Sequence, residues 1–296
     1  MEVVLLSLGH GTDCDAAPAD PTGGVRVPVL QCADALRAAG ATVRTVEANS
    51  DAEIDTVLEE SVLDGARLIV AGDGDGEPRA VVRRLVRRLA PPPSKRPDEL
   101  PEGRTVPDLP PIGLLPLSGP TDSLVARLGL PTKPADVAAA VLADNPLRLD
   151  LLRTDSGSVT LHGALIGGAD EAGRPVPWRA HVNVDDAVLS DGSDPLLVCA
   201  VVNADGIGYA EVDGLPLAPE ASPTDGVLDV AVAVLTYAGH RWLGTRRTRI
   251  EVRRARGRAV AVAPAGDVPY LDDAVAGTLA HKRTWWMERG AWAVYR

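Results

Sequence analysis

The first half of the chain alternates short apolar runs with segments in which apolar residues recur at helical spacing. The runs predict strands over residues 2–7, 41–48, 66–70 and 112–116, and the spacing predicts helices over 28–39, 51–63, 77–89, 123–128 and 135–143. Strands and helices in strict alternation are typical of a parallel sheet covered by helices on both faces. We therefore predict a doubly wound parallel α/β domain.

From residue 147 the pattern changes to short segments in which apolar and polar residues alternate. Candidate strands cover 147–152, 158–166, 176–184, 196–203, 227–235, 247–253, 259–263 and 292–295. Turn signals such as Asp191-Gly192 and Asp225-Gly226 separate them. We expect an antiparallel β-sandwich or barrel-like domain over 146–296 behind an α/β domain over 1–145, with the return of the last strand to the first domain left open. A cleft between two such domains is the natural active site.

A glycine-dense turn, Ala71-Gly72-Asp73-Gly74-Asp75-Gly76, links a predicted strand to a predicted helix. Such a turn lets backbone N–H groups and the helix N-terminus approach a phosphate closely. Asp73 and Asp75 are unusual there, because negative charge repels a phosphate unless a metal ion compensates it. Either a metal binds at this turn or the site has lost its ligand, and Asp75 has an alternative role as the cap of the following helix.

Composition narrows the class of protein. The 296 residues are 45% hydrophobic and carry a formal net charge of −11, which argues against general nucleic-acid binding. The three cysteines, Cys14, Cys32 and Cys199, are odd in number and lack metal-ligand spacing. We expect reduced thiols in a cytoplasmic protein, without a signal peptide or a membrane span.

Two groups of side chains each have two interpretations. The arginines of the helix over 77–89 form a solvated face or contact a phosphate or an acidic headgroup. Trp285, Trp286 and Trp292 are core aromatics or bury a lipid chain.

Four groups of residues, in order along the chain, match the motifs of one family. They are Ala71-Gly72-Asp73-Gly74-Asp75; Leu115 to Asp122 with Leu128-Gly129-Leu130-Pro131; Asn203 to Gly208 with Leu217 to Ala221 and Asp225 to Val230; and Leu271-Asp272-Asp273. They resemble motifs of the diacylglycerol kinase and sphingosine kinase catalytic family, including its bacterial lipid kinases. In the same order, the family's motifs are the G-G-D-G-T loop; the second loop L-P-x-G-T-G-N-D with L-G-L-P; the run of N-x-x-x-x-G, A-P-x-A and D-G-x-L-D-V; and L-D-G-E. Their order and spacing across nearly the whole chain argue against accident.

The resemblance implies a fold like that of NAD kinases and diacylglycerol kinases, and transfer of the γ-phosphate of ATP to a lipid hydroxyl with Mg²⁺. By position, the nucleotide-binding residues are Gly72, Asp73, Gly74, Asp75, Ser118, Gly119 and Thr121. The acidic positions linked to magnesium are Asp73, Asp122 and Asp150. Asp272 matches the general base, and an ordinary polar residue in a turn is its alternative.

The sequence also departs from the family's motifs. Asp75 replaces a threonine, Pro120 and Thr121 replace glycine and asparagine, and Asp273 and Ala274 replace glycine and glutamate. Each change removes a hydrogen-bond donor or a carboxylate, or adds negative charge that repels phosphate. The loss of one hydrogen bond costs about 1 to 3 kcal/mol of binding free energy. Together they predict weakened ATP binding.

Three functions therefore stay open. The first is a lipid kinase with an altered phosphate grip, and the second is a non-catalytic relative that binds a nucleotide, a lipid or a protein. The third is a kinase of a small soluble hydroxyl compound, similar to NAD kinases, although the A-P-x-A and D-G-x-L-D-V run favours the lipid branch. Expected partners are a lipid or small-molecule hydroxyl acceptor and a second copy of the chain in a homodimer, with peripheral membrane contact left open.

Overall fold

The computed structural model describes residues 1–9, 27–91, 100–101, 103–118, 123–204, 211–212, 215–238, 247–273 and 275–296. The chain forms two compact units. The first unit comprises Met1–Asp150 and Glu288–Arg296, and the second unit comprises Leu151–Met287.

The first unit is built from strands alternating with helices. In chain order its elements are β1 (Glu2–Leu8), α1 (Val27–Ala38), β2 (Thr42–Ala48), α2 (Asp51–Val57), β3 (Arg67–Gly72), α3 (Gly76–Leu89), β4 (Ile112–Pro116), α4 (Leu124–Arg127) and α5 (Pro134–Ala143). A π-helical turn, Leu58–Val62, continues α2. The strands pair in parallel in the order β4, β3, β1, β2. The predicted parallel α/β architecture is confirmed.

The central strands of this sheet are covered on both faces. Val3 to Leu6 of β1 and Leu68 to Ala71 of β3 are buried without interruption, which is why they read as continuous apolar runs rather than as alternating ones. Gly113 of β4 lies so close to α5 that a β-carbon there would sit 2.8 Å from the side chain of Val141. Because β3 and β4 pair in parallel, their carboxyl ends lie side by side.

Helices α2 and α3 are joined by ion pairs. The pairs are Arg83 to Asp51 at 3.1 Å, Arg84 to Asp51 at 2.9 Å, Arg84 to Asp55 and Arg88 to Glu59. These arginines pair with carboxylates of the neighbouring helix, so the face is not purely solvated, and contact with a phosphate or an acidic headgroup stays a prediction. Of these pairs Arg88–Glu59 is the most exposed, and an exposed pair contributes about 0 to 1 kcal/mol.

Antiparallel strands form the second unit, and the first and the last of them include residues of the first unit. In chain order they are β5 (Pro146–Thr154), β6 (Val159–Thr160), β7 (Gly163–Ile166), β8 (Gly168–Ala169), β9 (Pro175–Val176), β10 (Ala180–Val184), β11 (Ala187–Asp191), β12 (Leu196–Val202), β13 (Glu211–Val212), β14 (Leu215–Pro216), β15 (Leu228–Ala238), β16 (Arg247–Gly257), β17 (Ala259–Pro264), β18 (Val268–Asp272), β19 (Val275–Leu279) and β20 (Arg283–Tyr295). One sheet has the order β11, β10, β17, β20, and the other has the order β16, β15, β12, β7, β18, β19. The predicted antiparallel domain is confirmed.

Apolar side chains from both of these sheets share one core. Val182 and Val262 of the first sheet pack with Val201 and Val232 of the second, around the fully buried Trp285. Trp292 is also buried, in the first unit, and Trp286 lies under the guanidinium of Arg153 at 5.4 Å. Of the two interpretations of the tryptophans, core packing describes Trp285 and Trp292.

The last strand, β20, is longer than the predicted strand over 292–295. Residues 283–286 pair antiparallel with β17, and Val294 pairs in parallel with Ile112 of β4. Among the helices that the structure describes, none is both long and apolar enough to cross a bilayer.

Candidate functional site

The glycine turn lies at the carboxyl end of β3, as predicted, and leads directly into α3. Residues 73–75 form the bend between the two elements. Gly74 is exposed, and a β-carbon at this residue would meet nothing within 4 Å. The backbone of the turn is therefore open to an approaching ligand at Gly74.

A side chain that the sequence analysis did not single out closes the other part of the turn. The Glu77 carboxylate accepts a hydrogen bond from the Asp73 N–H at 3.1 Å. A β-carbon on Gly72 would lie 2.7 Å from the Glu77 side chain, so glycine at this position makes room for the contact. Glu77 lies in the first turn of α3, two residues after the N-cap residue Asp75, so this bond is not the N-cap to N3 contact of a capping box. The sequence signal was limited to a carboxylate in the first turn of a helix that follows a glycine turn.

Asp75 uses its carboxylate on a different helix from the one predicted. It is the N-cap residue of α3, but its side chain makes no capping bond to that helix. Its Oδ1 instead accepts the N–H of Leu124, the first residue of α4, at 2.9 Å. The predicted N-cap position is therefore confirmed, but the side chain does not make the capping bond. Asp75 has nearly helical backbone angles, φ −92° and ψ −9°, whereas a capping side chain requires an extended backbone.

The second loop is attached to the glycine turn by two hydrogen bonds. The Leu117 N–H donates to the Gly72 carbonyl at 2.9 Å, and the Ser118 hydroxyl donates to the Asp73 carbonyl at 3.2 Å. Ser118, a predicted nucleotide contact, is thus adjacent to the turn. The predicted site residues Gly119, Thr121 and Asp122 lie outside the described residues.

A small pocket opens beside the turn. Its walls are Val70, Gly72, Asp73, Gly74, Pro78, Leu114, Leu115, Pro116, Ser123 and Val125. Most of this lining is apolar and the polar groups belong to the two loops, which is the usual composition of a small-molecule site. On this wall the exposed backbone of Gly74 is the part of the turn that a phosphate would approach.

The predicted magnesium positions have different environments. Asp150 in β5 is 1% exposed, its Oδ1 accepts the Gly290 N–H at 2.7 Å, and its carbonyl accepts the indole N–H of Trp292 at 2.9 Å. Asp73 is half-buried at the turn. Across the described ranges no three His, Cys, Asp or Glu side chains form a metal-binding group. The three-aspartate site remains a prediction, since Asp122 is not among the described residues.

In the second unit, Asp272 is a buried carboxylate at the end of β18. It is 2% exposed, and its Oδ1 accepts a hydrogen bond from the hydroxyl of Thr160 at 2.6 Å. The two residues are 112 positions apart in the chain. Asp272 is therefore a buried strand residue with a hydrogen-bond partner, and its role as the general base stays a prediction.

Asp273 binds three consecutive backbone N–H groups. Its Oδ2 accepts from Leu161 at 2.8 Å, and its Oδ1 accepts from His162 at 2.8 Å and from Gly163 at 3.1 Å. Its φ of 51° lies in the left-handed region, which suits the glycine that the L-D-G-E motif has at this position. The aspartate tolerates that conformation, and its side chain holds the break between β6 and β7.

Asn203 brings another motif to the same place. Its side-chain amide donates to the Leu161 carbonyl at 2.8 Å, and its backbone N–H donates to the His162 carbonyl at 2.7 Å. Asn203 is fully buried. The third and fourth motif groups therefore converge on Leu161 to Gly163, which adjoin Thr160.

The aspartates of the D-G-x-L-D-V motif serve the β15–β16 pair instead. Arg256 pairs with Asp229 at 3.2 Å and also with Asp225. Burial raises the pKa of Asp229, and the guanidinium of Arg256 opposes that rise. These motif residues are structural.

Comparison with known proteins finds similarity to lipid kinases over part of the chain. Residues 21–154 match the diacylglycerol kinase catalytic domain. A curated Stenotrophomonas maltophilia protein described as "Probable lipid kinase YegS-like" is 26% identical over 210 residues, which cover 62% of this chain and 61% of that protein. The crystal structure of a diacylglycerol kinase from Bacillus anthracis strain Sterne superposes with a TM-score of 0.62 at 16% identity, over 99% of this chain and 97% of that one. The last similarity concerns the fold alone.

Proposed function

We propose that this chain, which is similar to diacylglycerol kinase-like lipid kinases, transfers the γ-phosphate of ATP to a hydroxyl group of diacylglycerol or a related lipid. The observation that carries the proposal is the glycine turn at the end of β3, which borders a small pocket within the residues that match the catalytic domain.

The residues of the first unit would bind the nucleotide. Gly74, with open space above its α-carbon, allows a phosphate oxygen to approach the backbone. Ser118 supports the turn through the Asp73 carbonyl. Kinase sites generally hold Mg²⁺ through one or two carboxylates and the phosphates themselves, and Asp73 is the described residue placed for that contact. The bound Mg²⁺ would supply neutralisation of the phosphate charge.

Asp272 would act as the base. Its carboxylate accepts the proton of the lipid hydroxyl while the hydroxyl oxygen bonds to the γ-phosphorus and the bond from that phosphorus to the ADP oxygen breaks. The Thr160 hydrogen bond is to Oδ1. An ionised carboxylate can only accept hydrogen bonds, so Thr160 is the donor in this contact.

A second candidate is a non-catalytic relative that binds a nucleotide, a lipid or a protein. The observation that favours it is the use of donors around the pocket by the protein's own carboxylates. Glu77 accepts the Asp73 N–H, and Asp75 accepts the Leu124 N–H. A phosphate must replace the first of these contacts or bind beside a negative charge, and both cost affinity.

Calorimetry with ATP and Mg²⁺ is the first test, with ADP and inorganic phosphate as comparison ligands. Kinase function requires binding at millimolar nucleotide or below, and no heat of binding there removes both kinase hypotheses. The second test is transfer of radiolabelled phosphate to diacylglycerols, sphingoid bases and soluble alcohols. Labelled lipid supports the proposal. Labelled soluble alcohol alone supports the third function, and nucleotide binding without transfer supports the non-catalytic relative.

A further inference from the structure

We propose that the outer edge of β19 pairs with β19 of a second copy of the chain, antiparallel and about a two-fold axis at Thr278. β19 (Val275–Leu279) is the last strand in the order of the six-stranded sheet. The pairing joins the six-stranded sheets of two copies into one continuous sheet. This inference does not depend on the proposed kinase function.

The backbone of β19 alternates between residues that face β18 and residues that face outward. The Gly167 N–H donates to the Pro269 carbonyl at 2.9 Å, so Pro269 in β18 faces β7. Because successive residues of an antiparallel strand face opposite neighbours, Tyr270 faces β19. Tyr270 lies opposite Gly277, and Pro269 lies opposite Thr278. Gly277 is therefore bonded to β18, and the N–H and C=O groups of Thr278 face outward.

This outer edge is accessible. By the same alternation Ala276 also faces outward, and Ala276, Thr278 and the following Ala280 are all exposed. Among the residues that the structure describes, none forms a backbone hydrogen bond with Ala276 or Thr278 on the outer side. Strand groups that are exposed in this way can pair with a strand of another chain.

β19 lacks the side chains by which edge strands prevent such pairing. Its sequence, Val-Ala-Gly-Thr-Leu, has no charge and no proline. The other strands at the ends of the two large sheets differ: β2 carries Arg44 and Glu47, β11 ends at Asp191 and pairs with β10 through a bulge, and β16 is rich in arginine. Of these four described strands, β19 is thus the one on which a second strand meets no charge.

Tyr270 supports β19 at its weakest residue. A β-carbon on Gly277 would lie 2.8 Å from the Tyr270 side chain, so the aromatic ring lies across the strand at this glycine. The Arg283 guanidinium lies over the same ring, 4.9 Å from its centroid. An aromatic ring laid across a glycine stabilises an edge strand. The edge is therefore ordered before it pairs, which lowers the entropy cost of association.

A two-fold axis at Thr278 gives a self-complementary register. Thr278 lies opposite Thr278 of the other copy, a favourable pair across strands, and Ala276 lies opposite Ala280. Because the two strands are antiparallel, the end with the exposed Lys282 lies beside the end of the other copy that follows Asp273. Opposite charges at the two ends favour this orientation, so a second copy of the same edge fits it.

Sedimentation velocity over a range of concentrations tests for the dimer. β19 provides five residues from each copy. A standard interface has roughly 20 to 30 residues a side, so we expect a reversible dimer with a dissociation constant on the order of 10 to 100 µM. A chain that stays monomeric at about 500 µM, well above that range, overturns the proposal.

Charged variants at the axis test the register. Thr278→Lys and Thr278→Glu each place like charges opposite one another, so each variant alone should dimerise at least about tenfold more weakly, and an equimolar mixture should recover. Thr45→Lys is the matched control, because Thr45 is an exposed residue in the middle of the edge strand β2, and it should leave the dissociation constant unchanged. Wild-type affinity in the Thr278 variants, a mixture no tighter than either variant, or an equal loss in Thr45→Lys overturns the proposal.

Amide hydrogen exchange locates the pairing in the wild type, without a substitution that could disturb folding. The Ala276 and Thr278 amides should exchange at least about tenfold more slowly at concentrations where the dimer forms. The Val275 and Gly277 amides, which face β18, should be protected at every concentration. Dimerisation with unchanged exchange at Ala276 and Thr278 places the interface elsewhere and rejects the edge of β19.

Discussion

The glycine turn of the first unit and the buried cluster around Asp272 of the second unit each contain an aspartate where the family motif has another residue. Asp75 replaces a threonine at the turn, and Asp273 replaces a glycine in the cluster. In both places the new carboxylate accepts backbone N–H groups, one from Leu124 for Asp75 and three from Leu161 to Gly163 for Asp273.

The two aspartates differ in the surroundings of the N–H groups that they bind. At the turn, Asp75 is half-buried and its carboxylate binds the start of α4, next to the predicted phosphate site. In the cluster, Asp273 is 8% exposed and its carboxylate binds the backbone that follows Thr160. The same kind of substitution therefore adds charge beside the predicted phosphate site in one unit and binds backbone next to the predicted base in the other.

The largest expected effect concerns the base. Asp272→Asn should lower phosphate transfer by about 10³-fold, within the usual range for loss of a general base, and leave the calorimetric ATP affinity unchanged. Asp170→Asn is the control, because Asp170 lies in an exposed turn of the same unit and accepts the N–H groups of Ala172 and Arg174. Retained turnover in Asp272→Asn would remove Asp272 from the role of base.

Asp273→Ala tests the hydrogen bonds from Leu161, His162 and Gly163. Three buried N–H groups lose their acceptor, and we expect the free energy of unfolding in urea to fall by about 3 kcal/mol. Asp273→Gly should lose about 1 kcal/mol less, because glycine adopts the left-handed backbone at φ 51° without strain. Equal losses in the two variants would show that backbone strain plays no part, and a loss below 1 kcal/mol would contradict the role of the carboxylate.

Glu77→Gln tests the competition at the turn. It removes the charge and keeps an acceptor for the Asp73 N–H, so we expect ATP to bind about tenfold more tightly by calorimetry. Glu53→Gln is a matched control, because the Glu53 carboxylate accepts the Asn49 N–H at 2.7 Å from the same position, four residues later, on helix α2. Unchanged affinity in Glu77→Gln would show that the turn's carboxylate does not limit nucleotide binding.

Asp75→Thr should have the smallest effect. Its charge is directed to the Leu124 N–H rather than into the turn, so we expect ATP affinity to rise only about two- to threefold. Amide exchange of Leu124 should become faster in the same variant, because its acceptor is lost. A tenfold gain in affinity without faster exchange would mean that Asp75 repels phosphate directly.

Most of the fold was predictable because it depends on local patterns. Continuous apolar runs identified β1, β3 and β4, and helical spacing identified α1, α3 and α5, each within one or two residues. The strand predicted over 158–166 is instead split into β6 and β7, since the Asp273 carboxylate binds the N–H groups of Leu161 and His162 at the break. A side chain more than 100 positions away leaves no mark on the local pattern.

The sequence alone determined the strand and helix order, the glycine turn, the family resemblance and Asp272 as the candidate base. These follow from periodicity and from short motifs, which are properties of neighbouring residues. Only the tertiary structure decided that Glu77 closes part of the turn, that Asp75 binds α4 rather than capping α3, and that Thr160, Asp273 and Asn203 surround the base. Those roles depend on which donors and acceptors the folded chain leaves within about 3 Å of each carboxylate, the range of a hydrogen bond.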